Sequence, residues 1–220
     1  MRIGICGGTF DPFHRGHLDT VLAAREKLQW DRVLYIPAWR QPFKTHLDAA
    51  PGAHRFAMTA LAIRDYDMLY VSPIELDRGG ISYSVDTLEE LHRRNPGASF
   101  DWIIGDDNVA NLDRWKDPER LFQLARFVVL SRSGVGDDGS PTADNRQPTT
   151  DNPTTRNEPA TPQTSSPAKP NLLFAHNPTV PISSTEIRRR VRAGEPIDAF
   201  VDPLVSRYIH HYGLYKEGQP

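Results

Sequence analysis

"GICGGTFDPFHRGHLDTVLAAREKL", residues 4–28, decides how this chain is read. An apolar run, "RIGIC" over 2–6, enters it as a strand, and Leu18, Val21, Leu22 and Leu28 recur at helical spacing on the way out. Between strand and helix lie two glycines, an Asp-Pro turn and the pair His14 and His17 at the helix start. In open α/β sheets such turns sit at the carboxyl ends of the strands, where ligands bind in the crevice. A glycine pair lets backbone approach a ligand closely, and a helix N-terminus presents free N–H groups and about half a positive charge. Both suit phosphate. The spacing is neither GxGxxG nor GxxxxGK followed by Ser or Thr, so the dinucleotide fingerprint and the P-loop are absent.

Outward from this turn the chain alternates. "DRVLYIP" (31–37) predicts a second strand and "AHRFAMTALAIRD" (53–65) a helix with Pro51 near its start. "MLYVSPIEL" (68–76) reads as a third extended segment. A helix follows, with Ser84 as its expected N-cap and Pro96 and Gly97 closing it. "SFDWIIG" (99–105) and "RFVVLSR" (126–132) are further strands around a helical "DPERLFQLA", and "NLLFAH" (171–176) is a sixth. The segments "ISSTEIRRRVRAGEP" and "DPLVSRYIHHYGLYKEG" end the chain as helices. Strands alternating with helices predict a single Rossmann-like, doubly wound parallel sheet with helices on both faces and a small C-terminal helical segment.

From Gly134 to Pro170 the pattern stops. Pro, Thr, Ser, Asn, Asp and Gly dominate, and "PTTDN" (148–152) is echoed at once by "PTTRN" (153–157). Too little apolar surface is available there to offset ordering entropy, so 134–170 is expected to be a disordered low-complexity insertion in one domain made of 1–133 and 171–216. A tolerated loop expansion is the plain reading and a functional tether the alternative. The strands on either side are expected as neighbours, for which a short connection would suffice.

Composition narrows the function. A chain of 220 residues with a formal net charge of -2 offers no case for bulk nucleic-acid binding. Its one cysteine, Cys6, sits in an apolar strand and reads as a small buried hydrophobe. The start goes straight into a strand without a leader, and no apolar stretch reaches membrane-spanning length, which predicts a cytoplasmic protein with no membrane partner.

Three readings compete for His14 and His17. A zinc pair would need a third ligand, and beyond Asp11 nothing has that spacing. Two ordinary structural histidines are the second reading. Phosphate contact and catalysis are the third, favoured because polar groups converge with GG and a helix start. The later "ISSTEIR" (182–188) repeats the chemistry: Ser183, Ser184 and Thr185 bring hydroxyls and N–H groups to a helix start, and Arg188 lies one turn in. Arg189, Arg190 and Arg192 read as a solvated face.

"GGTFDPFHRGH" (7–17) together with "ISSTEIR" resembles the paired signature of the HxGH nucleotidylyltransferase superfamily, related in that motif to class I aminoacyl-tRNA synthetases. Within it the chain resembles the bacterial nicotinate-nucleotide adenylyltransferases over 1–133 and 171–216. "ISYSVDTL" (81–88) is similar to the SYT-type segment of those enzymes, and "IIGDDNVANLDRW" (103–115) to their IIGxD segment with its following tryptophan. The resemblance implies transfer of the adenylyl group of ATP to nicotinate mononucleotide, with Mg²⁺ arriving on ATP and no dedicated metal ligands. It places ATP against Gly7, Gly8, Thr9, Phe10, His14, His17, Ser183, Ser184, Thr185 and Arg188. His14, His17, Lys44 and Arg188 are the expected catalytic set. Nicotinate mononucleotide is expected at Tyr83, Ser84, Asp107 and Trp115, its carboxylate on the N–H groups near Tyr83 and Ser84, its ring on Trp115, and Asp107 near the ribose or the metal–phosphate region. A core aromatic is the competing reading of Trp115.

One departure stands out: the usual PPHK or PPHR segment is "QPFK" (41–44) here, with Phe43 in place of histidine and Lys44 kept. Rival functions are a nicotinamide-mononucleotide or dual-specificity enzyme, a phosphopantetheine adenylyltransferase or polyol-phosphate cytidylyltransferase, and a non-catalytic nucleotide-sensing module. A tRNA-charging enzyme would need an anticodon-binding domain for which there is no length. A homo-oligomer is left open.

Overall fold

The computed structural model describes residues 1–43, 49–130, 172–175 and 182–216. The expected insertion over 134–170 and Lys44 lie outside the described residues.

Strands β1 (Arg2–Gly8), β2 (Arg32–Pro37), β3 (Leu69–Val71), β4 (Ser99–Gly105), β5 (Arg126–Leu130) and β6 (Leu172–Ala175) form one sheet in the order β3-β2-β1-β4-β5-β6. Every neighbouring pair is parallel. Side chains alternate across it: Ile103, Val128 and Leu130 face one core, while Trp102, Ile104, Phe127 and Val129 face the other. On the first face lie α1 (Arg15–Leu28), α2 (Gly52–Ile63), α6 (Ser184–Arg192) and α7 (Pro203–Tyr212), buried through Val21, Met58, Ile187 and Ile209. On the second lie α3 (Ile74–Arg78), α4 (Ser84–Arg94) and α5 (Pro118–Leu124), through Ile74, Leu88 and Leu121. Strand succession runs outward from β1 to either side, so the topological switch point, and with it the ligand crevice of such sheets, falls between β1 and β4.

The structure corrects three local expectations and adds one element. Only Leu69–Val71 of 68–76 is strand; Pro73 turns the chain into α3, which buries Ile74 and Glu75. The N-cap of α4 is Tyr83, extended at φ -92°, so Ser84 is the first helical residue and caps nothing. Residues Asp106–Arg114, not foreseen as regular, form a 3₁₀ helix. Strands β5 and β6 are neighbours and parallel, both as expected; it is the short connection that does not hold, because a link between parallel neighbours has to return the length of the strand and one of hairpin length cannot make it. Among the described residues no helix is long and apolar enough to cross a membrane.

Candidate active site

A cleft of about 1010 Å³ opens at the carboxyl ends of β1 and β4, and every sequence-predicted site residue except Lys44, which is not described, lines it. Strand β1 runs into it as Gly7-Gly8. A Cβ on Gly8 would stand 2.9 Å from the ring of Phe10, the residue that turns the chain at φ 51°. His14 then caps α1 in an extended conformation, and His17 Nδ1 accepts the backbone N–H of His14 at 3.3 Å. The two rings stack, centroids 3.7 Å apart. With Nδ1 used as an acceptor, the ring proton of a neutral His17 sits on Nε2. Phe10 and Phe13 border the same imidazole at 5.0 and 5.3 Å, and the Tyr35 hydroxyl donates to the His17 carbonyl at 3.1 Å. The glycine between the histidines has a steric reason: a Cβ on Gly16 would lie 3.1 Å from the His14 ring.

The second motif docks on the first. Ser183 caps α6 by accepting from the Glu186 N–H, Ser184 Oγ donates to the Pro12 carbonyl at 3.1 Å, and Arg188 Nη1 donates to the Asp11 carbonyl at 2.6 Å. The buried Asp11 carboxylate ties further segments in: its Oδ1 accepts from Ala50 N at 3.2 Å and from the Tyr215 hydroxyl at 2.7 Å, and Arg188 lies 3.7 Å from Oδ2. Burial, then the Asp11 charge, pushes the Tyr215 phenol far above its ordinary range, so it remains a donor. Arg55, also buried, donates to the carbonyls of Thr9 and Ala50 at 2.7 and 2.8 Å. Tyr215 and Arg55 were not among the expected residues. Their separation in sequence from Asp11 and Thr9 leaves no local signal.

At the other end of the cleft, Tyr83 and Ser84 bring the start of α4 to the surface of the pocket. A buried carboxylate missed by the sequence, Glu75, holds this segment: it accepts from Thr87 Oγ1 at 2.6 Å and from the Ser82 side chain, and Ser82 Oγ accepts the Trp39 N–H at 3.0 Å. Burial raises the Glu75 carboxyl above its ordinary value, opposed by the hydrogen bonds from Thr87 and Ser82 and by the Arg78 charge. Trp115 is half-buried, meeting Phe127 edge-on at 6.1 Å while bordering the cleft, so it both packs and faces the pocket. Asp107 is exposed, its Oδ1 accepting from Asn108 at 3.0 Å. Phe43 is exposed beneath the Arg114 guanidinium.

Cys6 is only partly buried and borders the cleft, because β1 extends two residues past it toward the opening. Arg189 and Arg190 pair with Glu186 and Glu195 on the outer side of α6, as a solvated face. Among the described residues no group of three or more His, Cys, Asp or Glu side chains could hold a metal ion. Of the cleft carboxylates Asp11, Glu75 and Asp107, only Asp107 is exposed.

The cytidylyltransferase-like family model matches residues 5–190. A protein of Roseiflexus sp. named "Probable nicotinate-nucleotide adenylyltransferase" is 40% identical over 214 residues, 97% of this chain and 98% of its own. One of the same name from Gemmatimonas aurantiaca is 38% identical over 218 residues, 99% of this chain and 93% of its own. Among solved structures, Plasmodium falciparum nicotinic acid mononucleotide adenylyltransferase complexed with NaAD matches with a TM-score of 0.70 at 19% identity over 97% of each chain, a likeness of fold.

Proposed function

The chain belongs to the cytidylyltransferase-like family, among its nicotinate-nucleotide adenylyltransferases, and from that premise we propose how its cleft performs the reaction. A phosphate oxygen of nicotinate mononucleotide attacks the α-phosphorus of ATP in line. The new P–O bond forms as the bond to the bridging oxygen of the β-phosphate breaks, and that electron pair leaves with pyrophosphate; the product is nicotinate adenine dinucleotide. No protein nucleophile is needed, so catalysis consists of positioning and charge stabilisation. The observation that carries the reading is the docking of the two motifs, Arg188 on the Asp11 carbonyl at 2.6 Å and Ser184 on that of Pro12 at 3.1 Å, which unites two anion-binding helix starts in one cleft.

In this reading the Nε2–H of His17 donates to the oxygen of the reacting α-phosphate where charge develops, with His14 stacked behind it and the backbone of Gly8–Phe10 alongside. Arg188, Lys44, the hydroxyls of Ser183 and Thr185 and the Ser184 N–H take the β- and γ-phosphates. The N–H groups at Tyr83 and Ser84 take the nicotinate carboxylate and Trp115 stacks on the pyridine ring. A divalent ion such as Mg²⁺, bound with ATP, would supply charge neutralisation at the phosphates while keeping waters and phosphate oxygens in preference to a protein cage; exposed Asp107 would stand near the ribose of the mononucleotide or the metal–phosphate region. Residues 1–133 and 171–216 act as one domain, a reading supported by β6 completing the sheet from beyond residue 134.

Pyrophosphate release with MgATP and, in turn, nicotinate mononucleotide, nicotinamide mononucleotide and phosphopantetheine tests this. Two N–H donors at a helix start suit a carboxylate, whereas an amide sets its own NH₂ against one of them. A preference of about 2–4 kcal/mol, roughly 30- to 1000-fold in kcat/KM, is expected for the acid. Equal efficiency for acid and amide overturns the carboxylate subsite; turnover of phosphopantetheine above both overturns the substrate assignment.

A further inference from the structure

We propose that Lys116 is a specificity-determining residue, whose ammonium favours an acidic over a neutral pyridine substrate; the proposal rests on the carboxylate subsite at Tyr83 and Ser84. Lys116 lines the cleft beside Trp115, just after the 3₁₀ helix. Its Nζ lies 4.7 Å from the centre of the Tyr83 ring and 2.8 and 3.0 Å from the two oxygens of Asp86. Asp86 stands in the first turn of α4, two residues after Ser84. A lone carboxylate there would repel a substrate carboxylate bound at the same helix start. Lys116 covers that charge, and the Tyr83 face holds the ammonium beside the residue that starts the subsite.

The ammonium remains available to a second anion. The Lys116 side chain keeps 47% of its exposure and that of Asp86 35%, so the pair is solvated and contributes little to stability. A bound nicotinate carboxylate can share the cation with Asp86, while a neutral carboxamide gains nothing from it. The selectivity of the subsite is therefore a balance of two opposite charges. Removing either one breaks the same ion pair, yet the two removals act on an anionic substrate with opposite sign.

That opposition is the test. For Lys116→Met, the ratio of kcat/KM for nicotinate over nicotinamide mononucleotide is expected to fall about five- to tenfold, through KM for the acid with kcat kept. For Asp86→Asn the ratio is expected to rise, and Lys116→Arg should restore the wild-type ratio in large part. Pyrophosphate release reads all three, with thermal unfolding confirming a folded protein. If the pair is only a staple between α4 and the 3₁₀ helix, Lys116→Met and Asp86→Asn will lower both substrates in parallel, and the proposal is overturned. An unchanged ratio in Lys116→Met, with the wild type still preferring the acid, overturns the role of Lys116 alone. A wild type without preference overturns the carboxylate subsite and the proposal with it.

Discussion

The imidazole of His17 is held by the His14 N–H on Nδ1, by the stacked His14 ring and by Phe10 and Phe13 against it, while the Tyr35 hydroxyl donates to the His17 backbone carbonyl. In the role proposed for it, a donor fixed in this way would not have to reorganise as charge develops on the α-phosphate, which is where preorganised donors contribute most. His17→Ala is expected to lower kcat by about 10²–10³-fold with thermal unfolding close to wild type, since the change removes one half-buried side chain beside an otherwise intact turn. Turnover near the wild-type rate in the folded variant would remove His17 from the role. The spacing of the two histidines announced one shared side of a helix start. It could not announce that the rings stack or that Nδ1 turns back to the backbone, because spacing fixes a face and leaves χ angles to packing. Glu75 was invisible for a stronger reason: within "SPIEL" it is one carboxylate among apolar residues, and its role exists only once Ser82 and Thr87 fold over it.

Helix α6 was legible in outline, because hydroxyl residues at its start and an arginine run on its outer side are local chemistry; that Ser183 is the residue that caps it and that Glu186 stands in the first turn to pair with those arginines comes from the structure. The Arg189 and Arg190 guanidiniums hold the Glu186 carboxyl down from its ordinary 4.5 to about 2, Arg189 first by direct hydrogen bonding. A carboxyl lowered in the folded state contributes stability that is complete above about pH 4.5 and is lost as pH falls toward 2. The melting-temperature difference between wild type and Glu186→Gln is therefore expected to be present at pH 7, to be small because the network is exposed, and to narrow as pH falls from 5 to 3. High salt should narrow it as well. A difference that grows on acidification would contradict this. Other elements were harder to read. The third extended segment broke at Pro73 because Ile74 and Glu75 gain burial on a short helix, and α4 begins at Ser84 because Tyr83 keeps the extended backbone of the preceding segment. Such shifts of a few residues are decided by tertiary contacts that no window of sequence contains.

Across the whole molecule, the parallel sheet was foreseeable from apolar strands alternating with amphipathic helices, since burial on both faces leaves that imprint. The link between its strands at the end away from the cleft was not. Buried Asp101 on β4 accepts from Trp30 Nε1 at 2.6 Å and pairs with Arg126 of β5, joining the connection before β2 to the neighbouring strand. Asp101→Ala leaves the Trp30 N–H without its acceptor and the Arg126 guanidinium without its counter-charge. A loss of about 3 kcal/mol is expected, the low end for a broken buried pair because Arg126 keeps partial solvent contact, or roughly 8 °C in Tm. Activity per folded molecule at low temperature should be unchanged. A drop in kcat without a drop in Tm would show that the two ends of β4 are coupled. The tie between Asp11 and Tyr215, residues 204 positions apart, has a consequence in time. A ribosome making this protein completes the first turn early, yet Arg188 and Tyr215, which fasten that turn, emerge 177 and 204 residues after Asp11. The growing chain therefore carries its first motif long before the contacts that fasten it, and the turn is complete only when Tyr215, just after α7, has come back onto Asp11.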